Sequence, residues 1–298
     1  MAAHTAAHVH EKLRNLDQMP SIPAIVMPLL RYLEQPVDRL EMHKVVDLIS
    51  QDKSLAAQVL HMANSPLFGR YQAVDSVRGA VVALGLRRMR DIAMSCSMLS
   101  LLPSQVCEFD PVTLWEHSLA CALVCRRFAQ KIAYGDAEKA YLAGLLHDLG
   151  ILVNMWLLPK EFASVVREAR SRQIALVEAE QEVLGITHCD TGQLVAERWQ
   201  LGADISDAIR HHHAAEKAES HRSLVALVNL SDLLCRMSDV GHGQIEACEV
   251  NLLEERAFKT LLQECPGLAE FDWARFTFEL EDYVVEVRNL VRTLYRMR

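Results

Sequence analysis

Several features that would place this chain in a class at once are missing from it. Its eight cysteines, at positions 96, 107, 121, 125, 189, 235, 248 and 265, form no CxxC pair and no disulfide framework, so they read as reduced, mostly buried thiols. No basic segment followed by an apolar one opens the chain, which predicts no signal peptide. The longest apolar run, near residues 144–159, is broken by His147, Asp148 and Asn154 and is too short to span a bilayer. A Walker loop, a GxGxxG fingerprint and a GxSxG elbow are absent, which leaves nucleoside-triphosphate hydrolysis, dinucleotide redox chemistry and serine-hydrolase catalysis without a motif. Excess positive charge is absent too. A net charge of -8 and a pI near 5.9 argue against broad binding to nucleic acid or to an anionic membrane. Together these absences predict a cytoplasmic protein that does not engage a membrane.

What is present is ample material for a core. With 298 residues, 51% hydrophobic and 23% charged, and with no low-complexity tract, the chain suits one large or two modest folded domains. The apolar period is that of helices and little of the chain alternates as strands do, so the expected class is all-α. Leu280, Tyr283, Val284, Val287, Leu290, Val291 and Leu294 recur at three and four residues, which predicts one long final helix. Leu102-Pro103-Ser104 and Asp110-Pro111 interrupt the pattern. The expected organisation is a flexible N-terminus over residues 1–15, a helical bundle over 16–103 and a second helical domain over 104–298 that includes the long final helix. No fixed-period repeat is visible, which removes the solenoid reading.

The residues that carry chemistry are His117, His147-Asp148, His188, His211-His212 and Asp232. Imidazoles and carboxylates together are the ligands of transition-metal sites that activate water. The pair His147-Asp148 lies in the apolar stretch GLLHDLG, where an unpaired carboxylate is expensive to bury, so a positive partner is expected there. Two histidines and two carboxylates would make one site from His117, His147, Asp148 and Asp232. His188, His211 and His212 would hold a second ion, with Asp148 bridging. Simpler readings stand beside each of these: a satisfied core histidine at 117, a helix cap at Ser231-Asp232, and a solvated helix end at His211 to His213. His213 is left outside the expected set. Cys121 and Cys125 read as core thiols, and the arginines at 288, 292 and 296 as a solvated helix face.

The motifs also occur in a telling order. MPSIPAIV at Met19 to Val26, LISQDKSLAAQVLHMANSPLFG at Leu48 to Gly69 and SVRGAVVALGLRRMRDIA from Ser76 are followed by WEHS, GLLHDLG, GITHCDTGQLVAERWQL and IRHHH. This order closely resembles the HDOD family, regulatory proteins of bacterial signal transduction related to HD-type phosphohydrolases, from about Leu16 to Asp232. The resemblance implies an N-terminal helical bundle packed on an HD-type helical domain. His117 then falls on the first HD histidine, His147 and Asp148 on the namesake pair and Asp232 on the last aspartate. His188, His211 and His212 match the additional histidines of the related HD-GYP phosphodiesterases. The implied cofactor is a divalent transition metal, iron, manganese, zinc or nickel, as one or two ions.

Three positions depart from the pattern. Ile151 stands where HD-GYP enzymes carry the lysine of HDxGK, and no GYP segment follows His212, which weakens phosphodiester hydrolysis because no cation is supplied for substrate phosphate. Thr113 stands where three-metal relatives carry a glutamate, so no third ion is expected. Lys53 replaces a proline at a helix start. Two functions follow as expectations: a metal-binding regulatory module that acts through a signalling protein partner or a nucleotide ligand, or a metal-dependent phosphohydrolase or cyclic-dinucleotide phosphodiesterase with Asp148 as the metal-bridging catalytic group.

Overall fold

The computed structural model describes residues 11, 12, 28, 32, 39, 41–69, 73–103, 109–241 and 251–297. Every regular element among the described residues is helical, as the sequence predicts. The expected flexible N-terminus lies outside the described residues except for residues 11 and 12, and so do the Met19–Val26 motif, Cys107 and Cys248. The remaining cysteines are free and buried. Two compact units divide the chain: Pro20–Leu102 with Asp282–Arg298, and Met1–Met19 with Pro103–Glu281.

In the first unit, α1 (Met42–Ser50), α2 (Lys53–Ala63), α3 (Val77–Leu84) and α4 (Leu86–Leu101) bury Val45, Ile49, Val59, Met62, Phe68, Met89 and Ile92. Their starts are written locally. Asp52 Oδ1 accepts from the amides of Ser54 and Leu55 at 2.8 and 3.1 Å, a cap that does not need the proline which Lys53 replaces. Asn64 ends α2 and fastens the following loop, its side chain donating to Val74 O at 2.9 Å and accepting from Val74 N at 2.8 Å.

The second unit contains α5 (Pro111–Lys131), α6 (Ala137–Leu146), α7 (Leu149–Leu157), α8 (Pro159–Arg172), α9 (Leu176–Val183), α10 (His188–Arg198), α11 (Ala203–His211), α12 (Arg222–Met237) and α13 (Arg256–Glu264). Proline opens α5 behind an Asp110 cap, and Asp136 caps α6. The stretch Ala137–Leu157 has the length and composition of a membrane span, but 83% of its apolar window is buried inside the protein. It is two core helices, α6 and α7, broken at His147-Asp148.

The last helix, α14 (Trp273–Arg296), has residues in both units. The expected organisation places it wholly in the second domain, whereas the units part between Glu281 and Asp282. Its 24 residues span about 36 Å, long enough for one apolar stripe to serve two cores. Phe276 packs on Phe128 in the second unit, while Val287, Leu290, Val291 and Leu294 are buried further along. Periodicity marks the stripe but not which core each part of it enters.

Candidate metal centre

Two close helix approaches assemble the site. At the first, α6 lies so tightly on α5 that a Cβ on Gly144 would come within 2.7 Å of Cys125 Sγ and 3.0 Å of Ala122 Cα. This brings His117, on α5, to His147 at the end of α6. At the second, α7 crosses α10 through a pair of glycines: a Cβ on Gly150 would overlap the His188 carbonyl and stand 2.7 Å from Gly192 N. That crossing sets His188 beside Asp148. A capping box formed by Thr187 and Asp190 starts α10 and fixes His188 at its first position. His147 and Asp148 both reach the centre because the chain leaves the helical path between α6 and α7.

The side chains converge as two groups sharing one carboxylate. Asp148 Oδ2 lies 3.0 Å from His147 Nε2 and 3.6 Å from His117 Nε2. Asp232 Oδ1, from α12, stands 3.2 Å from the same His117 nitrogen, and Arg236 holds the other Asp232 oxygen at 2.8 Å. On the opposite side, Asp148 Oδ1 lies 3.5 Å from His188 Nε2 and 3.4 Å from His212 Nε2. His213 completes that side, its Nε2 3.1 Å from that of His188. Exposure is 0–2% for His117, His147, Asp148, His188, His212 and Asp232.

His211 is not brought into either group, contrary to expectation, and His213 takes the place foreseen for it. The sequence gives three consecutive histidines, but α11 ends at His211 and the chain turns there, with Ala214 N donating to His211 O at 2.9 Å. Only the two residues past the helix end face inward. Burial and the neighbouring Arg210 charge push the His211 pKa down.

The hydrogen bonds behind the ligands fix which nitrogen is bare. His117 Nδ1 donates to Val240 O at 2.6 Å, His147 Nδ1 to Gly144 O at 2.7 Å and His212 Nδ1 to Ile209 O at 2.9 Å. A backbone carbonyl can only accept, so each ring carries a proton on Nδ1, and in its neutral form it turns the Nε2 lone pair inward. Yet His117 and His147 Nε2 are 3.2 Å apart, and His188 and His212 Nε2 3.4 Å apart. Facing lone pairs at that distance repel unless a proton or a metal cation lies between them. The field agrees. Burial opposes charge on His117, yet Asp232 and Asp148 raise its pKa to about 9. Burial likewise opposes charge on His212, but Cys189 and Asp148 raise it to about 10. Burial, followed by the charges of His212 and His188, pushes His213 well below its ordinary value, which keeps it a neutral donor. Asp232 is held well below the carboxylate range by Arg236 and His117 against the cost of burial.

Two groups that the sequence reading did not assign belong here. Cys189, next to His188 and 3.9 Å from His212 Nδ1, has its thiol lowered to about 5 by His212 and His188 despite its burial. Glu180, from α9, accepts at 2.6 Å from His188 Nδ1. The donor set, imidazole nitrogen with carboxylate oxygen, fits a divalent transition ion on each side of Asp148.

Comparison with known proteins agrees with this architecture. Residues 19–215 match the family model for the HDOD domain. An HDOD domain protein of unknown function from Geobacter sulfurreducens superposes with a TM-score of 0.85 at 29% identity, covering 99% of both chains. A candidate phosphohydrolase from Shewanella amazonensis SB2B superposes at 0.73 with 21% identity, covering 97% of this chain and 98% of that one. An uncharacterized protein of Treponema pallidum (strain Nichols) is 26% identical over 230 residues, 75% of this chain but 43% of its own length. The chain therefore spans less than half the length of that curated relative.

Proposed function

The chain belongs to the HDOD family, and we propose that it is a signal-transduction module of that family in which the second unit holds a binuclear transition-metal centre and the output is binding, to a signalling protein or a nucleotide, rather than turnover. The observation that carries this reading is the closed set of facing imidazoles: fixed Nε2 lone pairs 3.2–3.4 Å apart on both sides of one carboxylate, at 0–2% exposure. Such a set is shaped to hold cations, and its burial leaves little of it open to a substrate.

In this reading His117, His147 and Asp232 would hold one ion and His188, His212 and His213 the other, with Asp148 between them. Iron, manganese, zinc and nickel all suit such ligands. When bound, such ions supply Lewis acidity toward a phosphoryl oxygen and lower the pKa of water. The residues themselves orient and neutralise: Val240, Gly144 and Ile209 aim the rings, and Arg236 holds Asp232.

A second reading, metal-dependent phosphohydrolase, draws on the completeness of the ligand set. The two separate under one experiment. Metal-reconstituted protein is incubated with bis(p-nitrophenyl) phosphate and with cyclic dinucleotides, beside Asp148→Ala. The binding module predicts no metal-dependent product. Turnover that disappears in a folded Asp148→Ala variant would replace it with the hydrolase reading.

A further inference from the structure

The two halves of the centre do not carry the same charge. Asp148 Oδ2 and Asp232 Oδ1 both face His117, whereas among the described residues the inward nitrogens of His188 and His212 face the one carboxylate oxygen Asp148 Oδ1. A second difference lies behind the rings. His117, His147 and His212 lean on backbone carbonyls, but His188 leans on a carboxylate, Glu180.

Glu180 is wholly buried and fully employed. Its Oε2 accepts from His188 Nδ1 at 2.6 Å and from the His188 amide at 2.7 Å. Its Oε1 accepts from Asn154 Nδ2 at 3.1 Å. Asn154 stands on α7, Glu180 on α9 and His188 at the start of α10, so the carboxylate ties three helices at the point where the ligand emerges. A carboxylate in the protein interior is costly unless charge or donors repay it. A packing role alone would be met more cheaply by an apolar side chain.

We propose that Glu180 is the positioning residue of the His188 half of the centre: it fixes the His188 tautomer, raises the basicity of Nε2 and supplies, from behind the ligands, the second carboxylate that the other half has in Asp232. A carboxylate behind a metal-bound histidine commonly changes affinity by about 10- to 100-fold. The proposal rests on the metal-centre reading above and adds to it an asymmetry: the two ions depend on different anions, one on Asp232 and the other on Glu180. Cys189 adds negative charge beside His188 and His212 but does not take this role, because Glu180, not the thiol, holds the His188 Nδ1 proton and the His188 amide.

The test is a cobalt(II) titration of the full chain, followed by visible absorption and by elemental analysis, in wild type and Glu180→Gln. Glutamine keeps the shape and, with a flip of the Asn154 amide, every hydrogen bond, so it removes only the charge. The expected result is two cobalt ions in wild type and, in Glu180→Gln, one unchanged site and one weakened by about 10- to 100-fold. The metal-free variant should keep the helical circular dichroism of wild type. Equal affinity at both sites in the two proteins would overturn the proposal while leaving the metal centre intact. A wild type that takes up no cobalt would overturn the metal reading and this proposal together. Should the variant not fold, zinc-loaded wild type decides by NMR: the His188 Nδ1 proton should resonate furthest downfield of the site imidazoles, and one that resonates among those of His117, His147 and His212 would overturn the role.

Discussion

At the scale of single residues, the centre trades protons for cations. A histidine whose pKa rises on folding adds stability that is complete below its ordinary value of 6.5 and fades as pH climbs through the folded value, about 9 for His117 and about 10 for His212. His188 is raised in the same sense, with Glu180 pulling against its burial. Cys189, lowered from 9.0 to about 5, works the other way, its contribution being lost as pH falls through about 5. One thiol does not offset three imidazoles. The metal-free protein should therefore lose stability from about pH 6.5 to pH 10. With metal bound the slope reverses over the lower part of that range, because protons compete for the same nitrogens. Melting temperatures measured over that lower part with and without chelator should run in opposite directions; parallel curves would contradict the account. Much of this chemistry was legible residue by residue. His117, His147-Asp148, His188, His212 and Asp232 all meet around one point, as their types and order indicated. The exchange of His211 for His213 was not legible, since it depends on which residue of a triplet ends α11. Nor was Glu180, which stands between Glu178 and Glu182 in LVEAEQEV with nothing in the sequence to set it apart from them.

At the scale of elements, the ligands are placed by helix crossings rather than by loops. The starts of α5, α6 and α10 are spelled out by Asp110-Pro111, Asp136 and Thr187–Asp190, and a reader of the sequence can find each of them. The crossing of α7 and α10 cannot be found that way, because Gly150 and Gly192 are 42 residues apart and neither signals its partner. Its importance is measurable. Gly150→Ala would drive a methyl group into the His188 backbone, and the overlap should cost about 1–3 kcal/mol and pull His188 from Asp148. Gly135→Ala, where a Cβ meets nothing within 4 Å, is the matched control. Calorimetry with metal analysis should show lowered melting and a lost ion in the first variant and neither change in the second. Unchanged metal content in Gly150→Ala would show that the crossing does not position the site.

At the scale of the whole molecule, the all-helical class followed from periodicity, and the family from the order of motifs. The division of the final helix between two units did not, because one apolar stripe looks the same whichever core receives it. The second unit binds its polar interior around a single shared carboxylate, so the account stands or falls on what fills that interior. The most direct measurement is the metal content of untagged protein, purified without chelator, by elemental mass spectrometry beside Asp148→Ala. The account predicts about two transition-metal ions per chain, lost in an Asp148→Ala variant that keeps its helical circular dichroism. A wild type that holds no metal, even after reconstitution with iron, manganese and zinc, would contradict it.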